Sequence, residues 1–153
     1  MKHLRKIVLS TVVTAVIATP VYAEKPFEDQ IKARQGYYQM LKFNFGQLAA
    51  MVKGKKEYNA EQATTAANNI YSLSKLNNGM LWPKGSDNSQ LDYTKAKPGI
   101  WENFPDVKEK SGNWKAAVET LAGEAGNGLG ALKSSFGPVG KACKACHEEY
   151  RAK

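Results

Sequence analysis

Four segments of the chain carry apolar side chains at steps of three and four, which is the period of an amphipathic helix. No segment alternates with a period of two over the length of a strand. The helical segments cover approximately residues 27–53, 59–76, 103–125 and 129–150. Four helices that share one core predict an all-α fold, an antiparallel up-down-up-down four-helix bundle.

Local signals mark the ends of these helices and one long connection. Gly54 follows the first segment, as is typical of a helix end, and Asn59 stands three residues before Gln62, close to a capping box. Gly137-Pro138 should bend the fourth helix or remove one of its backbone hydrogen bonds. The connection over residues 80–99 is longer than an ordinary loop, so we expect it to cover part of the molecule or to cross over.

The first helix has an unusually wide apolar stripe. Its main face consists of Ile31, Tyr38, Leu41, Phe45, Leu48 and Val52. Further apolar residues lie to either side, namely Tyr37, Met40, Phe43 and Met51. Such a helix has one surface for its own core and a second surface that a partner subunit can cover.

The N-terminus has the composition of a secretory signal peptide over residues 1–23. A basic stretch precedes the apolar run Ile7 to Ala18, and small side chains follow at Val21 and Ala23. The apolar run is shorter than the ~20 residues that span a bilayer. We therefore expect cleavage, export to the periplasm, a single domain over residues 24–153, and no membrane contact afterwards. An uncleaved membrane anchor is the alternative.

Composition narrows the class of protein. Hydrophobic residues make up 42% and charged residues 24%, as in a globular chain, and two cysteines exclude a disulfide-dense scaffold. The formal net charge is +8, but no basic block resembles a nucleic-acid-binding arm, so a nucleic-acid partner is not expected.

The candidate chemistry lies in Cys143-Lys144-Ala145-Cys146-His147, which holds both cysteines and the one histidine outside the predicted signal peptide. On a helix, Cys143 and Cys146 share a face and His147 lies beside them. Two thiols in this order can form thioethers with the vinyl groups of one haem, and the imidazole can then bind its iron. The motif C-x-x-C-H is the attachment signature of c-type haem, so we expect one haem c bound covalently through Cys143 and Cys146, with His147 as axial ligand.

Three other interpretations of the motif do not involve haem. A redox-active thiol pair normally sits in a βαβ context, which is absent from the pattern, and a structural zinc site needs four ligands where three are available. If the cysteines were a buried structural pair, the position of His147 directly after Cys146 would be a coincidence. A haem-free helical module that uses Cys143 and Cys146 for metal or redox sensing therefore stays as an alternative.

The activity of such a haem depends on which group, if any, binds the iron on the face opposite His147. A sixth protein ligand would come from the Tyr38 phenolate or from a methionine, namely Met40, Met51 or Met80. Met40 lies about 200° around the helix from Tyr38, so both cannot face the haem. With Tyr38, Leu41 and Phe45 on this side, we expect a five-coordinate iron beside a bulky apolar pocket that admits small neutral ligands. No residue is placed for acid–base turnover, so we do not expect an enzyme.

Several motifs together resemble the cytochrome c′ family, the class II c-type cytochromes. The C-terminal residues 143–151 are similar to the family pattern C-x-x-C-H-x-x-Y/F-R. Phe136-Gly137-Pro138-Val139-Gly140, Ala96-Lys97-Pro98-Gly99-Ile100-Trp101 and the pair Arg34-Gln35 fit as well. The resemblance covers the whole of residues 24–153 and implies the same four-helix bundle.

The resemblance also implies roles for individual residues. Arg34 and Gln35 would contact the haem edge or its propionates, and Thr94 would be a further haem contact. Tyr38 falls at the position of the distal blocking residue. Arg151 would lie on the proximal side, where nitric oxide bound on that face could meet it.

The resemblance finally implies a function and an assembly. The family binds nitric oxide and carbon monoxide and forms homodimers through the first two helices. We therefore expect a periplasmic protein with a five-coordinate, high-spin haem iron that binds these gases and protects against nitric oxide. The alternative is a one-electron carrier in a periplasmic respiratory chain, with an unknown redox partner. The haem-bearing end is basic, through Lys141, Lys144, Arg151 and Lys153, which either steers an acidic partner or is simply solvated.

Overall fold

A computed structural model describes residues 25–153, so the predicted signal peptide and its cleavage site lie outside the described residues. The helices are α1 (Glu28–Val52), α2 (Ala60–Ser74), the short α3 (Gly99–Glu102), α4 (Phe104–Glu124) and α5 (Leu129–Tyr150). Gly79–Leu81 forms a single 3₁₀ turn after α2. The four predicted helices are confirmed, and each end lies within about two residues of its expected position.

The four long helices form a ring in which each packs against two others. α1 contacts α2 and α5, and α4 contacts the same two helices from the opposite corner. This is the predicted antiparallel four-helix bundle. None of the helices between residues 25 and 153 has the length and apolar character needed to cross a membrane.

The contiguous hydrophobic core occupies one end of the bundle. Its buried members are Leu48, Met51, Ala63, Ala66, Ala67, Ile70, Val118, Leu121, Ala125, Leu132 and Val139. They come from the end of α1, the start and middle of α2, the end of α4 and the first half of α5. The opposite end of the bundle, where α5 finishes, is left for the candidate site.

Specific local interactions define the helix ends. The Asn59 side chain accepts a hydrogen bond from the backbone N–H of Gln62 at 2.9 Å, which confirms the predicted cap of α2. Gly54 has a φ of 68°, which suits glycine, and its N–H donates to the carbonyl of Met51 where α1 ends. Pro138 lies inside α5, which continues to Tyr150, so the expected interruption is limited to the N–H that proline lacks.

Some residues of the predicted apolar stripes are on the surface. Leu76 and Phe104 are exposed, because each lies at or beyond the end of its packed helix. The flanks of α1 divide: Met51 is buried in the core, whereas Met40 and Phe43 are 56% and 67% exposed. The expected second apolar surface on α1 is therefore present and uncovered in the monomer.

The long connection covers the end of the bundle where α5 finishes. Residues 95–97 run antiparallel to the C-terminal segment, with the N–H of Lys97 donating to the carbonyl of Tyr150 at 3.0 Å. The N–H of Ala152 donates to the carbonyl of Lys95 at 2.9 Å, and Ala96 pairs with Arg151 as an isolated β-bridge. The expectation that this long segment covers part of the molecule is confirmed.

Candidate haem site

Cys143 and Cys146 lie one helical turn apart near the end of α5, and both thiols are free and partly buried. Burial raises the pKa of Cys143, and the neighbouring Cys146 raises it further. Burial likewise raises the pKa of Cys146, with an opposing effect from Lys110. Both groups are therefore protonated thiols at neutral pH, on one face of the helix.

The surroundings of the motif bear on the competing interpretations. Within residues 25–153, no group of three or more His, Cys, Asp or Glu side chains is placed to hold a metal ion. The thiols and the imidazole are instead arranged along the last turns of α5, with Cys143 packed against the edge of the hydrophobic core. Two reactive groups a turn apart with an adjacent imidazole fit a flat macrocycle with two attachment points and one central metal.

His147 and Arg151 lie close together at the end of α5. Partial burial lowers the pKa of His147, and the charge of Arg151 lowers it further. Both effects favour the neutral imidazole, which is the form that binds a metal. The backbone N–H of Arg151 donates to the carbonyl of His147 at 3.2 Å, so the last turn of α5 carries both predicted proximal residues.

Tyr38 lies on α1 near both cysteines. Desolvation of its phenol raises its pKa far above the ordinary value, and Tyr37 and the two cysteines raise it further, so the phenolate is not favoured as an iron ligand. Its ring makes an edge contact with Trp82, with the ring centroids 6.3 Å apart. Tyr38 and Trp82 together form an aromatic wall across from the thiols.

The other two residues predicted for the distal side, Leu41 and Phe45, also contact the hydrophobic core. Phe45 stacks on Phe136 of α5 with ring centroids 4.2 Å apart, and Phe45 and Leu41 pack against the hydrophobic core. That these two residues line the distal side of a haem stays a prediction. Trp82, from the long connection, is a further aromatic neighbour of Tyr38.

The candidate methionine ligands lie in three different surroundings. Met51 is 1% exposed in the core at the other end of the bundle, and Met40 is on the outer surface of α1. Met80 is 89% exposed in the 3₁₀ turn. The positions of Met40 and Tyr38 agree with the expectation that they face different sides of the helix.

Arg34 is buried, with 4% of its surface exposed, and its guanidinium is bound by the long connection. Nη1 donates to Ser86 Oγ at 3.1 Å and to the carbonyl of Leu81 at 3.5 Å. Nη2 donates to the carbonyl of Ser86 at 3.0 Å and to Thr94 Oγ1 at 2.7 Å. The guanidinium also lies 4.3 Å from the centre of the Trp82 ring, a cation–π contact.

The structure brings the other residues implied by the resemblance to the same place. Gln35 Nε2 donates to the carbonyl of Tyr93 at 3.0 Å, next to Thr94, which is 7% exposed. Arg34, Gln35 and Thr94 thus form one cluster at the junction of α1 and the long connection. Their contacts to haem stay a prediction.

Several residues that shape this region carry no motif that indicates a site role. Trp82 and Ser86 lie in a segment without periodicity, where the length of the loop is the available signal. Tyr150 is 5% exposed and donates a short hydrogen bond to Asp106, which also binds Lys110 at 3.0 Å. This Tyr150–Asp106 contact joins the end of α5 to the start of α4.

The fold and the site together define a class of protein: a four-helix bundle that carries a c-type haem-attachment motif at the end of its last helix. The comparison with protein families agrees with this class. Residues 29–151 match the family model described as cytochrome c′, and the chain belongs to the cytochrome c′ family.

Individual relatives cover nearly the whole chain. Cytochrome c′ of Allochromatium vinosum is 41% identical over 128 residues, which are 82% of this chain and 82% of that protein. Cytochrome c′ of Cereibacter sphaeroides is 33% identical over 150 residues, which are 98% of this chain and 99% of that protein. The solved structure of a Rhodobacter cytochrome c′ superimposes with a TM-score of 0.82 at 33% identity, covering 84% of this chain and 99% of that one.

Proposed function

We propose that the protein is a periplasmic haem protein that binds nitric oxide and carbon monoxide and protects against nitric oxide. One haem c is attached through Cys143 and Cys146, with His147 as the axial ligand of a five-coordinate, high-spin iron. The observation that carries this proposal is the arrangement of this motif on α5 across from the Tyr38–Trp82 wall, which offers no favoured iron ligand.

Relatives of known structure support the choice of ligand. A variant of cytochrome c′ from Alcaligenes xylosoxidans, 30% identical to this chain, has been solved in the ferrous form with bound nitric oxide. Another variant of that protein has been solved with carbon monoxide. When bound, haem supplies an iron position for a diatomic ligand and a change of oxidation state by one electron.

The residues on the two sides of the haem would do different work. Tyr38 and Trp82 fill the distal side with neutral aromatic groups, which excludes water and anions and leaves room for a small neutral molecule. On the proximal side, the neutral imidazole of His147 would bind iron, and Arg151, whose charge lowers the pKa of His147, would meet a ligand on that face.

Ligand binding is a better assignment than turnover. His147 is committed to iron under this proposal, and the carboxylates that follow it, Glu148 and Glu149, are exposed to solvent. General acid–base catalysis requires a titrating group within hydrogen-bond reach of the substrate. We therefore propose a binding protein rather than an enzyme.

We also propose a homodimer through α1 and α2. Met40 and Phe43 are exposed on α1, and Phe43 borders a cleft of about 380 Å³ between these helices. Within the same surface, Asn69 donates to Asn44 at 2.9 Å, which satisfies a buried polar group of α1. A solved cytochrome c′ that is 36% identical to this chain is described as having a ligand-controlled dimer dissociation.

A second candidate function, one-electron transfer, is favoured by one surface feature. Lys110 and Lys141 border a small apolar depression between α4 and α5, and Lys110 acts on the pKa of Cys146. An acidic partner protein could dock there, close to one thioether position. The ion pairs of Lys110 with Asp106 and of Lys144 with Glu148 reduce the free positive charge of this surface.

The experiment that tests the proposal starts from protein isolated from the periplasm. A pyridine haemochrome spectrum should show one covalent haem, and its absence would favour the haem-free module. The ferrous protein should then take up nitric oxide and carbon monoxide, with absorption changes that saturate at one ligand per haem. A ferric spectrum with a sulfur-to-iron charge-transfer band would show a methionine ligand and contradict the five-coordinate site. Haem without gas uptake would favour electron transfer.

A further inference from the structure

Arg34 is a buried cation that is stabilised by neutral groups. Within residues 25–153, no carboxylate forms an ion pair with it, although burial of a charge without compensation is costly. Each terminal nitrogen of the guanidinium donates two hydrogen bonds to Leu81, Ser86 or Thr94. Four N–H groups are therefore already used by the long connection, and Nε–H alone is left for a haem propionate.

Thr94 connects Arg34 to the C-terminal segment through hydrogen bonds. Its Oγ1 accepts from Arg34 Nη2 at 2.7 Å and from the backbone N–H of Ala96 at 3.2 Å. Ala96 in turn pairs with Arg151, and Ala152 donates to the carbonyl of Lys95. The Thr94 hydroxyl thus fixes the turn that leads into the pairing beside Arg151.

Arg34 also contacts the Tyr38–Trp82 wall. The guanidinium lies over the Trp82 ring, and the neighbouring carbonyl of Leu81 accepts from it. The backbone carbonyl of Trp82 accepts from Trp101 Nε1 at 3.1 Å. The ring of Trp82 is therefore bound by Arg34, and its backbone is bound by Trp101. Trp82 then contacts Tyr38 through its ring edge.

We infer that Arg34 and Thr94 are positioning residues that hold the two faces of the haem site through the long connection. Their shared hydrogen bond, which we name the Arg34–Thr94 latch, keeps Trp82 against Tyr38 on the distal side. The same latch keeps the Ala96–Arg151 pairing in place on the proximal side. This role rests on the proposed function, and it differs from direct contact with haem because it acts through residues 81–97.

The test compares Thr94→Val with Thr94→Ser in the haem-loaded protein. Valine has nearly the shape of threonine but cannot accept from Arg34 or Ala96, whereas serine keeps the hydroxyl. Loss of a hydrogen bond to a charged group should make amide hydrogen exchange at Ala96 and Ala152 about tenfold faster in Thr94→Val. Thr94→Ser should restore slow exchange. Thr120→Val, which changes an exposed threonine of α4, is the matched control and should have no effect.

Two spectroscopic measurements separate positioning from simple structural support. The iron–histidine stretching frequency of the ferrous protein and the carbon monoxide association rate should both change in Thr94→Val and return in Thr94→Ser. Unchanged amide exchange in Thr94→Val would overturn the latch. Faster exchange with an unchanged frequency and association rate would overturn its positioning role.

A second variant covers the case in which Thr94→Val does not fold. Ser86→Ala removes one side-chain acceptor of Arg34 and keeps Thr94, so it should produce the same changes to a smaller extent. Wild-type protein that takes up no gas would reject the proposed function. The exchange rates at Ala96 and Ala152 would still decide whether the latch exists, because they do not depend on gas binding.

Discussion

Tyr38 shows how one side chain can set the access of a ligand. Its ring lies near both haem-attachment cysteines, it is 43% exposed, and Trp82 packs against its edge. Desolvation raises the pKa of the phenol above its ordinary value of 10.0, which moves it still further from the phenolate form at neutral pH. Under the proposed function, it would therefore act on a distal ligand through bulk rather than through charge.

Replacing Tyr38 with alanine should open the distal side. We expect the association rate of carbon monoxide to rise by on the order of tenfold, which corresponds to a barrier lower by about 1.4 kcal/mol. Stopped-flow mixing of the ferrous protein with carbon monoxide measures this rate. Tyr71→Ala, on α2, is the control and should leave it unchanged, and an unchanged rate in Tyr38→Ala would remove Tyr38 from the path of the ligand.

Asp106 links acid pH to stability. Hydrogen bonds from Tyr150 and Lys110 lower its pKa below the ordinary value of 3.8, so the folded state favours its carboxylate. A lowered pKa contributes stability above the ordinary value, and that contribution is lost as the pH falls through the folded value. Asp106→Asn should therefore be less stable than wild type near neutral pH, and the difference should shrink below about pH 4.

Urea unfolding at a series of pH values measures this difference. Asp92→Asn, which changes an exposed carboxylate of the long connection, is the control and should follow the wild-type curve. A gap between Asp106→Asn and wild type that is the same at all pH values would show that the carboxylate charge is not what stabilises the contact.

At the scale of whole elements, the sequence predicted those structures that are stabilised locally. The start of α2 follows from Asn59, and the extents of α2 and α5 follow from the apolar period, because capping and periodicity involve residues a few positions apart. The course of residues 80–99 depends on contacts with Arg34 and with the C-terminal segment, far away in the chain. No short-range pattern encodes such pairings, so the latch and the role of Trp82 had to come from the structure.

The cap of α2 offers a test of this local control. Asn59→Ala removes the acceptor for the Gln62 N–H and should lower the free energy of unfolding by about 1 kcal/mol. Urea denaturation followed by circular dichroism measures the change. Asn68→Ala, the same substitution at an exposed position within α2, should be neutral or slightly stabilising, because alanine is the better helix former. Equal losses in both variants would argue against capping.

For the molecule as a whole, the apolar pattern predicted the bundle because four amphipathic helices have few ways to share one core. The haem-attachment motif was equally readable, since its five residues are contiguous. The sequence did not predict which flanking residues of α1 are buried. Met40, Phe43 and Met51 are all large apolar residues, and their exposure depends on which other helices surround them.

The exposed flank of α1 leads to a prediction about assembly. Phe43→Glu places a charge on the proposed dimer surface and should shift the protein towards the monomer in sedimentation-equilibrium experiments. Phe104→Glu is a matched control, because Phe104 is also exposed, at 63%, but lies at the start of α4. The same association constant in Phe43→Glu as in wild type would place the interface elsewhere or show that the protein is monomeric.

The position of the thiols at the edge of the hydrophobic core has a consequence for biogenesis. The fully buried cluster reaches Val139 on α5, Cys143 packs against its edge, and both thiols stay partly exposed. Under the proposed function, the chain could pack its core while the partly exposed cysteines remain within reach of the catalyst that would join them to the porphyrin. Folding and haem attachment would then be compatible in either order.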